Sequence, residues 1–139
     1  MNPVHPALRW LSPLIGDKRG AIAVEFALVL PVLITILVGV IEFGNILFTR
    51  QMMVYAAREA ARSYAVGESN VAAAEALALT RLSDLTLTFN VDVVETATAA
   101  GADVTVTITV PMADATFVGF LGPIFVGNIQ ALVTMRVES

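Results

Sequence analysis

The chain has 139 residues, 57% of them hydrophobic and only 14% charged, whereas an ordinary soluble domain is roughly 45–50% apolar and about 25% charged. That excess points to lipid, and the length leaves room for one small domain beside a membrane segment, which excludes a two-domain enzyme. With no cysteine, a single histidine (His5) and a net charge of -4, the chain can build no disulfide, thiolate site, histidine triad or multi-histidine metal centre, and it has no basic face for nucleic acid.

Residues 1–20 read as a short basic leader, broken by Pro3, Pro6 and Pro13 and carrying Arg9, Lys18 and Arg19 against Asp17. Residues 21–49, AIAVEFALVLPVLITILVGVIEFGNILFT, are apolar except for Glu25, Glu42, Asn45 and two threonines. That run exceeds the ~20 apolar residues needed to cross a hydrocarbon layer of about 30 Å. Glu25 and Glu42 are 17 residues apart, about 26 Å along a helix, so each is expected at one edge of the bilayer. A cleaved secretory signal fits badly, because its apolar core has only about 7–15 residues. The positive charges tie, with Arg9, Lys18 and Arg19 before the span and Arg50, Arg58 and Arg62 after it. Lys18 and Arg19 abut the span, which places the N-terminus inside and the C-terminal part outside.

Residues 50–66, RQMMVYAAREAARSYAV, are expected to continue the same helix as an amphipathic extension, with Gly67 as its stop. On a helical wheel Met53, Ala56, Ala57, Ala60 and Tyr64 share one side, opposite Arg50, Gln51, Arg58, Glu59 and Arg62. The remaining residues, 67–139, form a small extracytoplasmic domain. Ser69 or Asn70 caps a shorter helix running to about Leu82. The period then changes to two: Leu85, Leu87, Phe89, Val91 and Val93 alternate in the first run, Val104, Val106, Ile108 and Val110 in the second, and Ile129, Ala131, Val133, Met135 and Val137 in the third. Residues 96–102 and 111–127 connect them. The expected class is α+β, a long N-terminal membrane-spanning helix continuing into a domain with one short helix and a three-stranded antiparallel sheet. The stripe of Met53, Ala57, Ala60 and Tyr64 is expected to cover one sheet face, and Phe117, Phe120 and Phe125 either fold over the same small core or form a subunit or membrane contact.

The cluster that carries chemistry is Lys18, Arg19, Gly20 and Ala21, followed by Glu25 and Phe26. A basic pair stays in the cytoplasm, and a glycine offers a protease an unhindered extended backbone. Cutting after Gly20 would leave an α-amine on Ala21, cationic at neutral pH because its reference pKa is about 7.7–8.0. Glu25 lies four residues on, on the same helical face, where its carboxylate can meet such an amine, its own or a neighbour's. The plainer reading makes Glu25 an interfacial acid on an ordinary signal anchor. Pro31 cannot bond Ala27 and so loosens the helix, as a weak point used in assembly or as a tolerated membrane proline. Gly39 and Gly44 let helices approach closely, or are small residues without a partner.

In its KRG, AIAVEFALVLP, IEFGNILF and AAREAAR segments, all within residues 18–66, the chain resembles TadE-like proteins, pilin-like subunits of the tight-adherence (Flp) pilus system. The resemblance implies cleavage by a prepilin peptidase between Gly20 and Ala21, with Glu25, beside Phe26, registering the subunit. It implies a pilin-like fold, no enzymatic activity and no cofactor or metal. The implied partners are the peptidase, other pilins and pseudopilins through the N-terminal helix, an assembly platform with its ATPase, and membrane lipid, with no nucleic acid and no small-molecule substrate. The implied location is the inner (cytoplasmic) membrane as a single-pass protein, with transfer to a pilus. The residues beyond the helix make the chain larger than a main fibre subunit, which favours a minor pilin or pseudopilin. The alternative is a single-pass, unprocessed, membrane-anchored binding protein. An enzyme is the weakest reading, since Asp84, Asp92, Asp103 and Asp114 form no ligand loop.

Overall fold

From Asn45 to Val66 no glycine or proline interrupts a run rich in Ala, Arg and Met, residues that lose little freedom in a helix. In this computed structural model, which describes residues 18–99, 101–116 and 127–138, that run is the second half of α1, Lys18–Ala65. The helix starts three residues before the expected position, so Gly20 lies in its first turn. It ends at Gly67, whose φ of 75° is left-handed and suits glycine. The Glu68 N–H donates to the Ser63 carbonyl at 3.0 Å and the Gly67 N–H to the Tyr64 carbonyl at 2.9 Å, the paired bonds of a Schellman cap. Of the two candidate caps for the next helix, α2 (Val71–Arg81) uses Asn70, whose side chain accepts from the Ala73 N–H at 2.9 Å.

Three strands follow, β1 (Asn90–Thr98), β2 (Gly101–Pro111) and β3 (Asn128–Arg136), antiparallel in the order β1-β2-β3. The expected meander is present, and β3 starts at the expected Asn128. The first strand differs. Residues 85–89 alternate as a strand should, yet pairing begins only at Asn90, and Leu85, Leu87 and Phe89 pack half-buried against the core from a connector. Alternation reports burial on one side, and an extended connector laid along a core satisfies it without a partner strand. The expected loop 96–102 shrinks to a tight hairpin, with Thr98 opposite Gly101 and the Thr98 hydroxyl donating to the Gly101 carbonyl at 2.9 Å. Thr96 and Thr98 are β-branched and extend the strand.

The described residues fall into two compact units, which divide between Val38 and Gly39. In the first, every residue from 20 to 37 is exposed, although the side chains are almost all apolar. In the second, α1 turns Glu42, Ile46, Thr49, Met53, Ala56 and Ala60 inward, each buried, at alternating steps of four and three residues. Met53, Ala57 and Ala60 join one buried cluster with Val104, Val106, Ile108 and Val110 of β2, and Tyr64 packs half-buried against it. On the helix side this cluster is largely alanine, with Ala56, Ala57, Ala60, Ala61 and Ala65 all buried. The Arg81 guanidinium pairs with the Glu59 carboxylate, tying α2 to α1. The leader through Asp17 and the Phe117, Phe120 and Phe125 cluster lie outside the described residues.

Candidate functional site

The exposed N-terminal part of α1 carries the residues singled out for processing and registration. Gly20 is helical and exposed, and a Cβ built on it would meet nothing within 4 Å. Alanine is the better helix former, and among the described residues nothing packs against Gly20 closely enough to require glycine. Gly20 lies within the first turn of α1, in helical backbone. Ala21 and Glu25 stand one turn apart on the same face, and both are exposed. Glu25 makes no ion pair among the described residues. Phe26, beside it, is 60% exposed.

Pro31 lies inside α1, and one turn on, the Thr35 hydroxyl donates to the Pro31 carbonyl at 2.8 Å. A proline that removes one helical bond and a threonine that bonds back onto the preceding turn both favour a bend. Thr35 was not among the residues singled out from the sequence; its position four residues after Pro31 was the available signal. Gly39 and Gly44 are five residues apart and do not share a face. Gly44 is exposed and Gly39 half-buried, and a Cβ on either would meet nothing within 4 Å.

Glu42, expected at the outer edge of the bilayer, has its side chain fully buried in the second unit. Near it the Asn45 amide donates to the Ala115 carbonyl at 2.5 Å, and Thr49 is buried. The inward stripe that begins at Met53 by sequence thus starts eleven residues earlier, and Glu42, Asn45 and Thr49, three of the polar residues within the apolar run, belong to the domain. The 42, 46, 49, 53 spacing held that signal, but the surrounding leucines and isoleucines obscured it. At the far end, the Tyr64 phenol donates to the Glu95 carboxylate, which holds its pKa above the ordinary tyrosine value, with desolvation and the carboxylate's charge adding to the shift.

Among the described residues, no group of three or more His, Cys, Asp or Glu is placed to hold a metal ion. One helix, α1 from Gly20, is long and apolar enough to cross a membrane by length and composition. No curated protein and no solved structure matches the chain. A family model described as TadE-like protein does match, over residues 20–62. That stretch takes in Gly20, Glu25, Pro31 and the inward stripe as far as Ala60, so the similarity to TadE-like proteins covers the segment of α1 that carries the candidate site.

Proposed function

We propose that this protein is a pilus-associated structural subunit, a minor pilin or pseudopilin of a tight-adherence pilus, anchored in the inner membrane by residues 21–41 and freed for assembly by a prepilin peptidase that cuts between Gly20 and Ala21. The observation that carries the reading is the glycine at position 20, which packs against nothing among the described residues, in the first turn of an exposed apolar helix that carries a carboxylate five residues on. The family match over residues 20–62 supports the pilus association.

Once the cut is made, the new α-amine on Ala21 is cationic, and Glu25 is the acid within reach on that face. In lipid an unpaired carboxylate is costly, so an amine from this subunit or a neighbour stabilises Glu25 and sets their relative height. Assembly then exchanges lipid contacts along residues 22–37 for helix contacts. The protein carries out no bond-making chemistry of its own and needs no cofactor; its partners are the peptidase, other pilin-like helices, and an assembly platform with its ATPase.

The test is the mass of the N-terminus with and without a cognate prepilin peptidase. A mature chain beginning at Ala21, and loss of processing in Gly20→Val, are expected. An unprocessed terminus in a competent host, or cleavage indifferent to the residue at position 20, would overturn the proposal and favour an unprocessed membrane anchor for a binding domain.

A further inference from the structure

Within the second unit, α1 carries an exposed row that the strands and α2 flank but do not bury. Positions 41, 44, 48, 51, 55, 58 and 62 are all exposed and advance by alternating steps of three and four residues, the spacing with which one helix presents a seam to another. At 100° per residue they fall within an arc of about 100°. The row divides chemically. Its first part is apolar, with Ile41 47%, Phe48 55% and Tyr55 56% exposed, and Gly44 leaves space for a close backbone. Its second part holds Arg58 and Arg62, which with Tyr55, Glu59 and Met135 line a shallow hollow of about 410 Å³.

The chain is acidic, with a net charge of -4. Two of its arginines, Arg81 and Arg136, have carboxylate partners in Glu59 and Asp103. Arg58 and Arg62 make no ion pair among the described residues. We propose that this row docks a helix of a different protein, one with apolar side chains opposite Ile41, Phe48 and Tyr55 and carboxylates opposite Arg58 and Arg62. A second copy of this chain is a poor occupant, because in-register pairing sets each arginine against its like. The carboxylates that α1 carries in this unit are already committed, Glu42 within the core and Glu59 to Arg81. Lipid headgroups are too far away. Arg62 stands 21 residues beyond Ile41, about 31 Å of helix, against a headgroup layer of about 5–8 Å on each side of the bilayer. The inference adds a partner of defined chemistry to the pilus reading and does not depend on cleavage at Gly20, so the two fail separately.

Since the chain has no cysteine, one introduced near the C-terminus takes a donor fluorophore on the full-length protein in phosphatidylcholine vesicles. The probes are two designed single-pass helices that differ only in having glutamates or lysines at the two positions facing Arg58 and Arg62. Energy transfer is expected to show the glutamate helix binding about tenfold tighter, with the order reversed for R58E/R62E and the difference shrinking as salt rises. Both arginines are exposed, so circular dichroism of R58E/R62E should match the parent, and its gain of the lysine helix separates lost charge from lost fold. Equal binding of the two helices overturns the proposal. So does tighter transfer between two copies of the parent chain than to the glutamate helix, or a preference that appears only when phosphatidylglycerol is present.

Discussion

Asn45 shows what a single polar side chain does in an apolar run. Its amide donates to the Ala115 carbonyl, seventy residues away in sequence, and so fastens the turn after β2 to α1. Asn45→Ala leaves that carbonyl without its donor in a partly buried place, and a loss of about 1–2 kcal/mol is expected, read from denaturant unfolding of the chain in detergent; an unchanged midpoint would mean that water replaces the amide at no cost. At the other end of the same helix, Tyr64 donates to Glu95, and its raised pKa fixes the sign of a pH effect. The hydrogen bond contributes while the phenol keeps its proton. Its contribution is therefore complete below the unfolded tyrosine value of about 10 and disappears as the pH climbs through the higher folded value. Ultraviolet titration should find one phenol ionising late in the parent and earlier in Glu95→Gln; identical titration curves would show that Glu95 does not set it. Neither pair was visible in the sequence, since each joins residues that only the folded chain brings together.

The elements differ in how openly the sequence declares them. α1 and α2 could be read almost to the residue because their signals are local: apolar periodicity, Asn70 as a cap, and a glycine where the chain needs positive φ. Gly67→Ala forces a Cβ into the left-handed region and should destabilise the domain by about 1 kcal/mol, measured as a lower thermal midpoint by circular dichroism; no shift would imply that the cap rearranges freely. β2 was equally plain, since Val104, Val106, Ile108 and Val110 alternate with threonines and all four are buried. β1 was misplaced because alternation is a statement about burial, and Leu85, Leu87 and Phe89 meet it from a connector. Pairing depends on register with β2, and register is a property of two segments that neither displays alone.

For the molecule as a whole, the apolar run serves two ends. Leucine and isoleucine suit lipid and protein core equally, so hydropathy alone does not separate the two uses, and the domain buries helix residues from Glu42 onward. Residues 21–41 amount to about 32 Å of helix at 1.5 Å per residue, enough by themselves for a hydrocarbon layer of ~30 Å. Replacing 21–41 by an unrelated membrane helix should therefore leave the domain folded and abolish assembly, whereas replacing 21–49 should also unfold the domain by removing Ile46, Asn45 and Thr49. Protease resistance of the domain distinguishes the two chimaeras, and equal resistance would put the boundary elsewhere. The alanines at 56, 57, 60, 61 and 65 have a further consequence for biosynthesis. The ribosome delivers α1 well before β2 and β3, so this face waits bare until the strands that cover it have been made. A leucine-lined helix would expose a strongly adhesive surface during that interval, and partly folded chains with such surfaces aggregate. Alanine shows little apolar area when uncovered, so the side chains that fill the helix side of the finished core also keep the nascent helix from sticking to its neighbours.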